Sequence, residues 1–345
     1  MSLSKTDPGA ALGDEAGPIE AGPAGGFGES ARGFLLRTGS LASFALLVVF
    51  FTIESPFFLS LQNLGLVLEQ SAVLAVLAFG MTIVVIGGGA NVVTGGVDLS
   101  LAGNLGLGAA VYATALRAGA PDAIAVALTL ASGLALGLLN ALSVVGLRIT
   151  PLLATLAAMN IAAGLELVLT ENTAVPANSP LLDAIVDIGP FGVPVLGYIL
   201  LVVSALLILL VEHTPVGLRL YAVGGHPEAA RAAGLPVGAY VAGSYAASGL
   251  LGGFGAILYV AFLSGSTTGS GEMLLSIVVT AFLGVVFSRR LVPTISGALL
   301  SALFIGVLID GFQLLHLSSY WVSGVQGALI VLVVAATTSQ RREGA

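Results

Sequence analysis

The chain has 345 residues, of which 57% are hydrophobic and only 8% charged, and its mean hydropathy is +1.06. That balance excludes an ordinary soluble domain, in which about a quarter of the residues are charged. The continuous apolar runs also exclude a membrane barrel of short alternating strands. The absence of cysteine excludes disulfides and thiolate metal sites.

The fold class that remains is an all-α polytopic membrane protein. Residues 1–33 are rich in Gly, Ala, Pro and acid and cannot bury a core. A disordered cytoplasmic tail is expected over 1–38, a transmembrane domain over 39–338 and a short cytoplasmic tail over 339–345. The tail residues Asp7, Asp14, Glu15, Glu20 and Glu29 account for much of the net charge of −7. That charge reads as solubility, and no nucleic-acid partner is expected. No basic segment followed by an apolar one opens the chain, so no cleaved signal peptide is expected, and the first span becomes the targeting element.

A spanning helix needs ~20 apolar residues. Ten stretches qualify, near 41–59, 64–86, 98–116, 122–147, 150–170, 194–212, 239–263, 272–288, 293–315 and 319–338. With the N-terminus in the cytoplasm, ten crossings put ten of the 11 Lys and Arg residues inside, and only Arg117 outside. Both termini are then cytoplasmic. The 171–193 loop, with Glu171, Asp183 and Asp187, lies outside.

The second span carries Glu69 and Gln70. It runs into GGGANVVTGG (87–96), whose five glycines suit irregular backbone at a membrane edge. The stretch lacks the Lys-Ser/Thr ending of a phosphate-binding loop. Gly95 and Gly96 then lead to Asp98 and Ser100, which read as a cap on the third span. A direct role for Asp98 toward a solute is the alternative. Asn140 and Asn160 follow in the fourth and fifth spans, and Glu166 lies near an outer, solvated end. The pairs GLALG (133–137) and GLLGG (249–253) mark close helix packing. In the ninth span, Asp310 and Gln313 share a face. Polar groups inside a membrane are costly, so Glu69, Gln70, Asn140, Asn160, Asp310 and Gln313 are either a path for a hydroxylated solute or helix–helix hydrogen bonds. Tyr320 and Trp321 read as interface anchors.

Residues 213–238 form the longest internal cytoplasmic loop. Within VGGHPEAARAAGLP (223–236), Pro227 suits a first helical turn, Glu228 the positive end of the dipole, and Gly234 the C-terminal cap, with Pro236 as a stop. A two-turn helix over 227–233 is too short to hold alone and must dock on something.

Glu228, Ala229, Ala230 and Gly234 spell EAAxxxG, which resembles the loop by which permeases of ATP-binding-cassette importers engage their ATPase. The surrounding YAVGGHPEAARAAGLPV is similar to that loop in the ribose/galactose/xylose-type sugar permeases. So are GGVDLSL (95–101), SPFFLSLQNLGLVLEQ (55–70), ITPLLATLAAMNIAAGL (149–165) and SSYW (318–321). The likeness runs in order from about 41 to 338. Two departures stand out: GGANVV (88–93) looks inserted, and FSRRLVP (287–293) replaces a glycine-rich turn.

The resemblance implies a permease subunit of the bacterial inner membrane, paired with a second copy or a paralogue in the lipid bilayer. A cytoplasmic ATPase would grip Gly224, Gly225, His226, Pro227, Glu228, Ala229, Ala230, Arg231 and Gly234. An extracytoplasmic solute-binding protein would deliver a sugar or sugar-like solute. The chain would bind no cofactor or metal itself, and ATP and Mg would be used by the partner ATPase. Consistent with that, no Walker A sequence and no catalytic constellation is seen. The rival class is a secondary transporter or channel driven by an ion gradient, with Glu69 and Asp310 as relays.

Overall fold

The computed structural model describes residues 27–89, 96–269, 272–288, 291–318, 321 and 324–328. Gly95, most of the 88–93 insertion, Arg289, Arg290, Tyr320, most of the expected tenth span and both outer tails lie outside these residues.

The described chain is helical almost throughout. Among the described residues six helical stretches are long and apolar enough to cross a membrane. They are α2 (Leu61–Gly88), α4 (Asp122–Ala141) with the π turn that extends it to Gly146, α5 (Pro151–Thr170), α7 (Val195–His213), α10 (Val237–Leu263) and α12 (Ile295–Leu314). Shorter apolar helices are the Leu41–Glu54 part of α1 (Phe27–Glu54) and α11 (Met273–Phe287). Helix α3 (Leu101–Arg117) has 17 residues, about 25 Å at ~1.5 Å per residue, short of the ~30 Å hydrocarbon layer. It starts three residues later than expected, because Val97–Ser100 stays non-helical around the Asp98 side chain.

Among the described residues α1 runs from Phe27. After Pro23 no proline interrupts GESARGFLLR, so the helix of the first span can run back through it. Two further expectations are corrected. The 213–238 loop holds two helices rather than one: α8 (Pro215–Gly225) precedes α9 (Pro227–Ala232). Its PVGL start has Pro at the first helical position, the same signal that marked α9. Finally, Glu166 is buried, not solvated. It stands on the ladder Ala154, Ala158, Ala162, Glu166, Thr170, the four-residue repeat of α5 that packs inward.

Helix α2 is the mast of the fold. Every residue from Ser71 to Gly87 is buried, which fits a helix apolar all round. Helices α7, α8, α10, α11 and α12 pack around it. Helix α10 also lies against α4 and α3. A Cβ on Gly133 would stand 2.5 Å from the Gly249 carbonyl oxygen, and one on Gly249 would stand 2.7 Å from the Gly137 Cα. The two small-residue pairs therefore face each other, and only glycine permits the approach. The outward faces of α4, α5 and α7 carry exposed Leu128, Leu138, Leu153, Leu165, Leu206 and Leu209, as surfaces turned to lipid or to another subunit do. The 171–193 loop is structured. Val175–Pro176 pairs antiparallel with Gly265–Ser266 as β1 and β2. Pro180–Val186 forms α6, whose Ser179 Oγ accepts the Leu182 N–H at 3.3 Å.

Candidate functional site

The 213–238 loop presents a short exposed helix with sharply defined ends. Pro227 opens α9 and the Ala230 N–H donates to the His226 carbonyl at 2.9 Å. At the far end Gly234 has φ +83°, a left-handed conformation natural to glycine. Its N–H donates to the Arg231 carbonyl, and the Leu235 N–H to the Ala230 carbonyl, each at 3.0 Å. That double bond pattern is a Schellman motif, and it makes six residues hold as a helix. Ala230 alone is buried, against the body of the protein. Pro227, Glu228, Ala229, Arg231, Ala232 and Gly234 are exposed, as are Gly225 and His226. Glu228 and Arg231 form an ion pair at 3.0 Å across one turn. Nothing lies within 4 Å of a Cβ placed on Gly225 or Gly234. Gly224 is different. A Cβ there would run into the Ile86 carbonyl, so α8 ends pressed against the end of α2.

A second polar centre is buried. Asp98 Oδ1 accepts hydrogen bonds from the Ser100 N–H at 3.0 Å, the Ser100 hydroxyl at 2.6 Å and Asn140 Nδ2 at 3.2 Å. Asp98 Oδ2 accepts from the Ser248 hydroxyl at 2.7 Å. Asn140 Nδ2 also donates to Ser100 Oγ at 2.7 Å, and the Asp98 N–H points to Met81 Sδ at 3.4 Å. The bond to Ser100 is a local turn of the kind short acids make just ahead of a helix. Ser100 itself gives α3 no side-chain cap. The carboxylate's remaining acceptor capacity goes to α4 and α10. Asp98 and Asn140 are therefore one knot joining α2, α3, α4 and α10. Gly96, next to it, sits where a Cβ would strike the Val84 carbonyl, and its N–H donates to the Gly89 carbonyl at 3.0 Å.

A third centre lies on the α2–α12 seam. Asp310, 3% exposed, accepts from Asn63 Nδ2 at 2.7 Å. Asn63 also donates to the Phe58 carbonyl at 3.0 Å. One turn further along, Gln70 Nε2 donates to Gln313 Oε1 at 3.3 Å, at the surface. Glu69 is half-buried beside Gln70. Of the six residues named for a solute path, Gln70, Asp310 and Gln313 thus meet on one seam with Glu69 adjoining. Asn140 belongs to the Asp98 knot. Asn160 stands apart on the exposed face of α5 and donates to its own Leu156 carbonyl at 2.8 Å.

Sequence reasoning missed four residues. Asn63 and Ser248 complete the two buried centres. Glu212 accepts from the Ser296 N–H at 2.7 Å and the Ser296 hydroxyl at 3.1 Å. Tyr221 donates to the Pro293 carbonyl at 2.7 Å. A signal existed for Ser248, since Ser244 and Ser248 are four apart in an apolar span. Asn63 and Glu212 lie at span ends, where a polar residue ordinarily meets water.

Comparison with known proteins places this geometry. Residues 63–334 match the family model described as branched-chain amino acid transport system / permease component. The ribose import permease protein of Escherichia coli K12 is 32% identical over 309 residues, covering 88% of this chain and 94% of that protein. The galactose/methyl galactoside import permease protein of the same strain is 29% identical over 323 residues, with 88% and 94% covered. A protein of Sinorhizobium fredii named "Probable ABC transporter permease protein" is 30% identical over 307 residues, with 87% and 89% covered.

Proposed function

The chain belongs to the branched-chain amino acid transport system / permease component family, and on that premise we propose that it is the membrane permease of an ATP-binding-cassette importer for a sugar or sugar-like solute. The observation that carries the reading is α9. It is an exposed, alanine-faced helix of six residues, opened by Pro227 and closed by the Gly234 cap, with an ion pair to set register. A smooth rigid projection of this kind suits a partner that must push and pull on it. The related sugar permeases support the solute class. The ion-gradient reading gains nothing from them.

In this reading the transmembrane domain spans 39–338 with ten crossings and both ends in the cytoplasm of a bacterial cell, in its inner membrane. It pairs with a second copy or a paralogue. ATP and Mg act in the cytoplasmic ATPase, which docks on Gly224–Gly234, and the chain has no hydrolytic role of its own. A solute-binding protein meets the outer face. Movement of α9 with the ATPase biases the bundle between two packings, inward-open and outward-open. Glu69, Gln70, Asp310 and Gln313 offer the polar groups of the pathway, whereas Asp98, Asn140 and Ser100 hold the bundle together.

The test is reconstitution of the chain with its ATPase and binding protein in vesicles, with labelled D-ribose and D-galactose offered in turn. Uptake should require ATP on the cytoplasmic side and ignore proton and sodium gradients. Uptake by the chain alone on either gradient would contradict the proposal.

A further inference from the structure

We infer that Glu212 and Tyr221 clamp the cytoplasmic loop to the first turn of α12, so that α8 and α9 move α12 as one body; this rests on the ATPase-docking reading above. Glu212 is the penultimate residue of α7, three before α8 starts. Its two carboxylate oxygens take both the backbone N–H and the hydroxyl of Ser296. Ser296 lies in the first turn of α12, whose own cap, Thr294 Oγ1, takes the Gly297 N–H at 3.0 Å. Two of the orphan N–H groups at that helix start are therefore filled, one of them by an acid from another helix, where the dipole favours it. In mid-α8, the Tyr221 hydroxyl bonds the Pro293 carbonyl. Both anchors end on the four residues 293–296, which leaves no slack between loop and helix.

The contact of α8 with α2 is of another kind. It runs along glycines: Gly224 against the Ile86 carbonyl, Gly89 against the Gly224 carbonyl, and Gly87 against Leu220. Smooth surfaces allow small sliding movements, whereas bonded ones move together. Helix α12 is unbroken for 20 residues. Asp310 and Gln313 thus sit ~21 to ~26 Å along the same rod from Ser296 at ~1.5 Å per residue. The clamp makes α12 the lever between the docking helix and the polar seam with Asn63 and Gln70. Glu212 and Tyr221 are positioning residues, since they act through α12.

The chain has no cysteine, so Leu317→Cys places a single thiol at an exposed site just beyond α12. The complex with its ATPase is reconstituted in vesicles, and labelling of that thiol by a membrane-impermeant maleimide is timed with and without ATP plus vanadate. Trapping should change the labelling rate in the parent. Tyr221→Phe with Glu212→Ala, which removes both acceptor oxygens from Ser296, should abolish the change while the ATPase still co-purifies in the same amount and still hydrolyses ATP. Tyr221→Phe alone removes one oxygen atom and should diminish the change should the double variant fail to assemble. A change that persists in these variants, or a trapped parent complex that shows none, overturns the clamp and leaves the proposed function standing. A parent that binds no ATPase overturns both.

Discussion

Asp98→Ala should be the most damaging single substitution of a polar side chain in the described bundle. It removes the acceptor of the Ser100 N–H, the Ser100 hydroxyl, Asn140 Nδ2 and the Ser248 hydroxyl, all in a region closed to water. A buried donor left without a partner costs about 1–3 kcal/mol. Hydrogen bonds inside membrane proteins average nearer ~0.6 kcal/mol, because neighbouring groups offer replacements. Some relief is visible here: the Ser248 hydroxyl can turn to a carbonyl one turn back on α10, and Asn140 keeps its bond to Ser100 Oγ. A loss of about 3–5 kcal/mol follows, a large share of the ~5–15 kcal/mol by which a fold is usually stable. At ~2–4 °C per kcal/mol this is a fall of about 10 °C in the midpoint of heat inactivation. The assay is size-exclusion chromatography of detergent-solubilised protein after graded heating. Asp98→Asn keeps the Oδ1 acceptor and should lose less than half as much. Combining Asp98→Ala with Ser248→Ala should cost less than the two changes measured singly, because one stranded donor is gone. An Asp98→Ala midpoint within about 2 °C of the parent would refute the idea that this carboxylate holds α3, α4 and α10 together.

Other substitutions probe the packing and the seam. Gly137→Ala puts a methyl group onto the Tyr245 carbonyl and Gly249→Ala puts one 2.7 Å from the Gly137 Cα. Each should cost about 1–3 kcal/mol by forcing α4 and α10 apart, read in the same heating assay. Asn63→Leu strands the buried Asp310 oxygen and should cost about 1–3 kcal/mol together with most of the uptake. Asn160→Leu, on an exposed face with only an intrahelical bond, should stay within about 0.5 kcal/mol of the parent.

Six of the expected spans were legible because apolar runs of fixed length leave few alternatives in a bilayer. Boundaries of α5, α7 and α10, and of α4 taken together with its π turn to Gly146, fall within two residues of their expectation at each end. Helix α3 departed because one buried carboxylate holds Val97–Ser100 out of the helix, a tertiary effect invisible to hydropathy. Helix α8 carries a start signal in Pro215, but Thr214 gives it no side-chain cap, and the stronger Pro227 and Gly234 signals that follow drew the reading to α9 alone. Helix α9 could be read in full, since Pro227 and Gly234 carry their backbone preferences wherever they stand. The partners of polar residues were the least accessible. Asp310 was noticed as costly, but that Asn63, almost 250 residues away, answers it depends on how α2 and α12 pack. The same holds for Glu212 and Ser296.

Whether α9 is the handle of an ATPase is tested most directly by purification of the tagged chain from its own membranes in mild detergent, with and without Glu228→Lys and Gly234→Trp. Both sites are exposed, so the double variant should remain inserted, with the loss of stability confined to α9, whose cap at φ +83° a tryptophan strains. Mass spectrometry should find an ATPase subunit with the parent and not with the variant. An ATPase held equally by both would move the docking site elsewhere on the cytoplasmic face. No ATPase with the parent, together with solute movement by the purified chain on a proton or sodium gradient, would contradict the importer reading and return attention to Glu69 and Asp310.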